Sequence, residues 1–312
     1  MNVPTRSPGS STMAAFAIAV TLGGGNFLAV RFSNRELDPT WGATLRFSAA
    51  AVLFIVIALV LRLRWPRGRV LALNVVFGLL STAVFYALMY WALVRVTAGV
   101  ATVILAIVPL VTLLLAAAQR TERLRGRAVV GSLLAFGGIA WMTVGPNEVI
   151  LPPAPLLVLL GAAVAVGQSV ILGKKLSTNH PAMTNAVGIS TGAIALLAMS
   201  ALAGDRWVLP TQPEVVWSVL YLVTLGSVGL FVLILLVVRH WTASATSYMF
   251  VLFPIITMLL EAWLADEAIT AQGVVGAVMV MSGVWFGALS PGARRSADLI
   301  SSKDVRPVLE TH

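Results

Sequence analysis

Among the polar side chains inside long apolar stretches of this 312-residue chain, four could do chemistry, and an isolated polar group there needs a partner. Asn26 and Gln168 are amides, which exchange hydrogen bonds with a polar ligand or with a neighbouring helix. Arg46 and Glu261 are ionisable, and their opposite charges allow a mutual pair. We hypothesise that Glu261 couples ligand movement to protonation, with Arg46 as its partner or as an anion contact. The alternative is that Glu261 extends along its helix to water.

Aromatic side chains occur in the same stretches. Tyr86 and Tyr90 are four residues apart and therefore share one face of a helix. Phe231 and Tyr248 lie in the second half of the chain, and we expect them opposite the first two. Aromatic walls with few fixed charges suit amphipathic or cationic solutes through stacking and cation–π contact. The alternative is that these rings pack against other helices or lipid.

Two prolines interrupt apolar stretches, and each is followed three residues later by a threonine. Pro109 precedes Thr112, and Pro254 precedes Thr257. A proline inside a helix leaves the carbonyl four residues earlier without its usual donor. We therefore predict two kinks that act as hinges, with the freed carbonyls and the threonines forming a polar wall; the alternative is two packing kinks.

Together these patterns give one set of predicted site residues. Ligand-binding residues are predicted at Asn26, Tyr86, Tyr90, Thr112, Gln168, Phe231, Tyr248 and Thr257. Hinges are predicted at Pro109 and Pro254, and coupling residues at Glu261 and Arg46.

The elements that carry these residues must be membrane helices. Hydrophobic residues make up 59% of the chain, charged residues 11%, and the mean hydropathy is +0.94. Continuous apolar runs of about 17 to 25 residues favour helices over barrel strands. Such runs cover 13–31, 40–61, 71–93, 98–118, 128–144, 154–173, 182–203, 215–238, 244–264 and 271–289. The sequence predicts an all-α integral membrane protein with ten transmembrane helices.

The net charge of +9 has a pattern that indicates topology rather than nucleic-acid binding. Sixteen of the 21 Lys and Arg residues fall in the two termini and in every second loop, starting with the loop between helices 2 and 3. Four fall in the other loops, and Arg46 lies inside the second helix. Cytoplasmic loops carry such an excess, so both termini are predicted to be cytoplasmic. At 1.5 Å per residue, Asn26 then lies roughly 6 Å from the bilayer midplane on the outer side, and Gln168 lies roughly 7 Å from it on the cytoplasmic side.

The chain also repeats itself. Pro109 and Pro254 are 145 positions apart, as are Glu122 and Glu267, so two copies of five helices are predicted at 13–145 and 154–290. Residues 1–12 and 291–312 form cytoplasmic tails. Because five is odd, the second copy is inverted relative to the first. Glu122 and Glu267 stand near the starts of helices 5 and 10, where a carboxylate favours the positive end of the helix dipole.

Few features of the sequence indicate an enzyme. The chain has no cysteine, its three histidines lie in predicted loops or the tail, and none of the P-loop, H-E-x-x-H or G-x-S-x-G motifs occurs. We predict no catalytic residue, no cofactor and no metal. Without an ATP-binding domain, any pumping draws on a solute or proton gradient; the alternative is a facilitator that equilibrates its solute.

The repeat also carries a recognisable pattern. The matching positions of the first copy are Gly25-Asn26-Phe27, Pro39, Arg46-Phe47, Thr97-Ala98, Pro109 and Glu122. Those of the second are Pro181, Thr242-Ala243, Pro254, Glu267 and Gly276. In this pattern the repeat resembles the EamA domain of the drug/metabolite transporter (DMT) superfamily. The resemblance implies a ten-helix inverted repeat that moves small metabolites or drugs, often outward, through a cavity lined by helices 1, 3, 4, 6, 8 and 9.

One position departs from that pattern. Where the family often has Trp-Gly before the asparagine, this chain has Gly23-Gly24-Gly25, which predicts a cavity wall of different shape.

The function predicted from these features is secondary transport. We expect a small metabolite, amino acid or amphipathic drug-like solute to cross a bacterial plasma (inner) membrane by alternating access, as export. The expected partners are that solute, the lipid bilayer and protons, but no nucleic acid. The alternative is a non-transporting integral membrane protein, a lipid-modifying enzyme or a scaffold, on the same fold.

Overall fold

The computed structural model describes residues 10–93, 95, 104–143, 153–264 and 271–289, and every regular element among them is helical. We number the long helical segments α1 to α10 in chain order. They are α1 Ser10–Ser33, α2 Pro39–Val60, α3 68–93, α4 Val108–Ala118, α5 Gly126–Thr143, α6 Pro153–Lys175, α7 Pro181–Ala203, α8 Pro213–His240, α9 243–264 and α10 271–289.

The predicted helical membrane fold is confirmed. Seven helices in the described ranges, those in α1, α2, α3, α6, α7, α8 and α9, are long and apolar enough to cross a membrane. Three shorter apolar helices, Val108–Ala118, Gly126–Trp141 and Ala271–Gly287, coincide with the remaining predicted spans. The total of ten spans stays a prediction.

Local sequence sets several helix boundaries. Four helices begin at a proline, whose fixed φ suits the first turn and whose missing N–H is not needed there. These are Pro39, Pro153, Pro181 and Pro213. Helix α7 is capped at its C-terminus by Gly204, which adopts the left-handed conformation (φ 72°) that favours glycine.

Helices α3 and α8 each contain a π-helical turn, at equivalent places in the two repeats. In α3 the turn covers Leu79–Val84, and in α8 it covers Thr224–Gly229, 145 positions later. Each turn lies near the middle of its helix. A π turn holds more residues than an α turn, so it changes the direction of the side chains that follow and often marks a functional site.

The helices of the two repeats interleave. Helix α1 packs on α8 and α9, α2 on α7, α6 on α3 and α4, and α5 on α10. These contacts between repeats are more extensive than those within a repeat. The repeats are therefore not two separate bundles.

Helices α5 and α10 meet through matched glycines. A Cβ on Gly131 would lie 2.6 Å from the carbonyl oxygen of Gly283, and one on Gly138 would lie 2.8 Å from that of Gly276. The lower residue number on α5 meets the higher one on α10, so the helices are antiparallel, as inversion of the second repeat predicts. Close backbone approach at small residues is a common way to pack membrane helices.

The loop between α1 and α2 is joined to the loop between α7 and α8. Glu36 accepts hydrogen bonds from the backbone N–H groups of Thr211 and Gln212. The hydrogen bond from the Thr211 hydroxyl lowers the pKa of Glu36. Arg35 pairs with Glu214 at 2.6 Å. By the predicted topology this contact lies on the outer side.

Candidate functional site

The π turn of α8 presents one carbonyl to two other helices. The Gly226 oxygen accepts a hydrogen bond from Asn26 Nδ2 of α1 at 3.0 Å and another from Arg46 Nη2 of α2 at 2.8 Å. Ser227 Oγ accepts from Arg46 Nε at 2.7 Å. The structure thus brings the predicted residues Asn26 and Arg46 together, at a site that includes Gly226 and Ser227.

Arg46 is a buried cation. It is 2% exposed, and no carboxylate with a described side chain lies within 4 Å of it. Two of the five guanidinium N–H groups donate to Gly226 and Ser227, which leaves three without an acceptor among the described residues. The guanidinium lies over the rings of Phe47 and Tyr86, with its carbon 4.8 and 5.7 Å from their centroids. Its positive charge is therefore stabilised by neutral groups.

The predicted partner of Arg46, Glu261, belongs to the helix Met249–Leu264. Its side chain lies outside the described part of the structure, so the pair and the coupling role stay predictions.

Asn26 has an unused acceptor. It is 9% exposed, and its Oδ1 atom receives no hydrogen bond from a described residue, whereas its Nδ2 donates to Gly226. A Cβ on Gly226 would lie 2.0 Å from that Oδ1 atom, so only glycine allows this approach. The Asn26 and Arg46 side chains are neighbours, because Asn26 Nδ2 and Arg46 Nη2 donate to the same carbonyl.

The glycine triplet of α1 packs tightly against α8 and α9. Added Cβ atoms would collide with Phe253 at Gly23, with Ile256 at Gly24 and with the Tyr221 hydroxyl at Gly25. That hydroxyl donates to the Leu22 carbonyl at 2.9 Å. The unusual triplet therefore makes room for side chains of α8 and α9.

Thr257 extends the same set of contacts to α9. Its hydroxyl lies within hydrogen-bonding distance of the Gly24 carbonyl (2.9 Å) and the Phe253 carbonyl (3.0 Å). Helices α1, α8 and α9 are thus joined by side-chain to backbone hydrogen bonds.

The equivalent region of the other repeat is built differently. Gln168 of α6 accepts a hydrogen bond from Gln119 Nε2 at 2.7 Å, and Lys175 Nζ donates to Gln119 Oε1 at 2.8 Å. Thr112 donates within its own helix to Val108 and faces Gly167, where a Cβ would lie 2.9 Å from its hydroxyl. Asn26 and Gln168 therefore have separate sets of partners, and Gln168 points toward the α4–α6 end rather than to a π turn.

The predicted aromatic wall is only partly assembled. Tyr86 and Phe231 both contact the Phe47 ring, with centroids 4.7 and 6.0 Å away. Tyr248 instead donates to the Ala128 carbonyl of α5 at 2.9 Å and contacts Ser132, also at 2.9 Å. Tyr248 thus holds α9 against α5. The side chain of Tyr90 lies outside the described residues.

The two predicted hinges differ. Pro109 lies in the first turn of α4, directly after a turn at residues 106–107. Pro254 lies inside the helix Met249–Leu264, and α9 is broken earlier, at residues 247–248. Pro109 thus follows an interruption of the helical segment rather than lying inside a continuous helix. The hinge roles of Pro109 and Pro254 stay predictions.

Glu122 caps a helix other than the one expected. Its carboxylate accepts hydrogen bonds from the backbone N–H of Ser244 at 3.2 Å and from the Ser244 hydroxyl. Both groups belong to the first turn of α9, where Thr242 is the N-cap. A residue of the first repeat thus neutralises the positive helix end of the second.

Several buried polar residues were not among the site residues predicted from the sequence. Asn74 Oδ1, Thr184 Oγ1 and both amide atoms of Asn185 are buried and have no hydrogen-bond partner among the described residues. They lie on α3 and α7, which pack together. An amide inside an apolar run is the signal that selected Asn26, and it applies equally to Asn74 and Asn185.

Known proteins match the chain along most of its length. A model of the EamA-like transporter family matches residues 10–144 and again 154–288. An "uncharacterized transporter" of Archaeoglobus fulgidus is 27% identical over 86% of this chain and 95% of its own. A "probable terminal-alkyne amino-acid exporter" of Streptantibioticus cattleyicolor is 26% identical, covering 81% of this chain and 85% of its own.

Two further comparisons agree. The "uncharacterized inner membrane transporter YedA" of Escherichia coli K12 is 26% identical over 82% of this chain and 83% of its own. A solved crystal structure with 16% identity superposes with a TM-score of 0.75 over 90% of this chain and 99% of its own, which shows the same fold. The chain is a multi-pass membrane transporter and belongs to the EamA-like transporter family.

Proposed function

We propose that this transporter exports small organic solutes that carry a carboxylate, amino acids first among them. The observation that carries the proposal is the buried guanidinium of Arg46, which has no anionic partner among the described residues. A charge held in a medium of low polarity without a counter-charge is costly. A solute carboxylate that approaches Arg46 removes part of that cost, so the site favours anions and zwitterions.

The neighbouring groups refine this preference. The faces of Phe47 and Tyr86, which would otherwise attract a cationic solute, already lie beneath Arg46. Asn26 Oδ1 adds an acceptor suited to an ammonium group. A zwitterionic amino acid therefore uses both groups, a simple carboxylate uses one, and an amine is repelled. The exporter from Streptantibioticus cattleyicolor, named for an amino acid, supports the same solute class.

The proposed mechanism is alternating access in a protein of ten spans with both termini in the cytoplasm. Asn26, Tyr221 and Thr257 bind α1, α8 and α9 into one group. Helices α3, α4 and α6 pack into another. We propose that these mixed groups, rather than the two sequence repeats, move relative to one another around Arg46 and Asn26.

Counterflow into proteoliposomes that contain the full chain tests the solute class. Leucine, 4-methylpentanoate and 3-methylbutylamine share nearly the same apolar part but carry both charges, the carboxylate alone or the ammonium alone. We expect exchange in the order leucine, then 4-methylpentanoate, with 3-methylbutylamine not exchanged. Preference for the amine would contradict the proposal, as would failure of all three in protein shown to be folded.

Replacement of Glu261 by glutamine tests proton coupling. If this carboxyl exchanges a proton during transport, Glu261→Gln removes the dependence of the leucine exchange rate on pH. Rates are measured between pH 5.5 and 8.5 with the wild type and Glu214→Gln, a change at an outer exposed carboxylate, as controls. An unchanged pH profile in Glu261→Gln contradicts the coupling role.

A further inference from the structure

A cleft opens where α4 and α6 end and where α9 begins. Its volume is about 160 Å³. Its lining includes Glu122, Lys174, Lys175 and Trp241. By the predicted topology this end of the helices faces the cytoplasm. At roughly 30 Å³ for each water molecule, the cleft has room for about five waters, or for the body of a small organic solute.

The cleft carries a net positive charge, because Lys174 and Lys175 outnumber Glu122. Glu122 already accepts from the N–H and the hydroxyl of Ser244. Lys174 Nζ donates to the Arg239 carbonyl at 3.0 Å, and Lys175 Nζ donates to Gln119 at 2.8 Å. An ammonium group has three N–H donors, so each lysine keeps two without an acceptor among the described residues. The cleft therefore attracts anions.

The cleft is also connected to the interior by side chains. Lys175 contacts Gln119, and Gln119 contacts Gln168 on α6, deeper in the membrane. The same wall carries apolar surface from the half-buried ring of Trp241. A solute with a carboxylate and an apolar part finds both kinds of surface here.

We infer that this cleft is a cytoplasmic loading site, in which Lys174 binds the solute carboxylate and Trp241 contacts the apolar part before the solute reaches Arg46. The inference rests on the proposed function, because it takes the solute to be a carboxylate. It assigns the cytoplasmic side a binding step of its own, as expected for an exporter.

The loading step is tested with Lys174→Gln. Arg64→Gln, an exposed change in the loop between α2 and α3, is the matched control. Leucine is presented to oriented vesicles at either face, and its half-saturating concentration is measured. We expect Lys174→Gln to raise this concentration about tenfold at the cytoplasmic face only, because one charge-assisted contact is lost. No change, or an equal change at both faces, would overturn the loading site.

A second measurement does not depend on transport. Addition of 4-methylpentanoate to the full chain in nanodiscs is expected to change tryptophan fluorescence in the wild type, but not in Trp241→Phe or Lys174→Gln. If the wild type shows this change while no solute is exchanged, anion binding in the cleft is supported and the proposed transport function is contradicted. If all three proteins respond alike, the loading site is wrong.

A change of membrane lipid distinguishes a solute carboxylate from a lipid phosphate as the anion that binds in the cleft. The titration is run in phosphatidylcholine alone and with phosphatidylglycerol added. We expect the same fluorescence change in both. Loss of the change when phosphatidylglycerol is present would show that a lipid phosphate occupies the cleft, and would overturn its role in solute loading.

Discussion

Arg46→Gln is expected to reduce leucine counterflow by roughly 100-fold, because a charged hydrogen-bonding partner of the solute is removed from a buried site. Glutamine retains polarity and some of the length of arginine but has no charge. The remaining contacts of Asn26 with Gly226 stay possible. Initial rates at low leucine concentration in proteoliposomes, normalised to the amount of folded protein, give the measurement.

Two further variants separate charge from geometry. Arg46→Lys keeps the charge but not the fork that contacts both Gly226 and Ser227, so an intermediate rate is expected. Arg35→Gln removes a cation from an outer loop, where it is half exposed in its pair with Glu214, and the rate should change little. If Arg46→Gln exchanges leucine as fast as Arg35→Gln does, Arg46 is not the carboxylate contact.

Gly78→Ala is expected to have the largest effect on stability. An added Cβ would lie 1.9 Å from the carbonyl oxygen of Gly188 and 2.4 Å from its Cα. These are backbone atoms, so no rotation of a side chain relieves the collision and α3 must move away from α7. Overpacking of this kind costs about 1 to 3 kcal/mol, and more where backbones must separate.

Thermal unfolding in nanodiscs measures this effect, with Gly137→Ala as the matched control. Gly137 lies inside α5, where an added Cβ would meet the Met279 Cε atom at 3.8 Å, an ordinary contact. We expect Gly78→Ala to unfold several degrees below the wild type and Gly137→Ala to unfold close to it. Equal midpoints for the two variants would show that the α3–α7 contact yields without cost.

The sequence predicted the helices well because hydropathy acts locally. Each apolar run must satisfy its backbone within itself in the bilayer, so the run and the helix nearly coincide, as in 13–31 and Ser10–Ser33. The resemblance of each repeat to the EamA domain was confirmed, because the model of that family matches the chain twice. Asn26 and Arg46 were selected for the same reason, since a polar group in an apolar run is costly wherever it points.

The sequence did not predict the partners of those residues. Two π turns change the direction of side chains in α3 and α8, and apolar periodicity does not reveal such turns. As a result Gly226, an unremarked glycine, presents the carbonyl that Asn26 and Arg46 share. Tyr248, expected opposite Tyr86, instead bonds to α5.

Composition and duplication are enough to identify a helical membrane protein built from a repeat, because they do not depend on how the helices are arranged. The three-dimensional fold sets which helices are neighbours, as when Glu122 caps α9 of the other repeat rather than α5. It also decided that Arg46 is surrounded by neutral groups among the described residues. Contacts between helices depend on their rotation and depth, which residues far apart in the chain fix jointly.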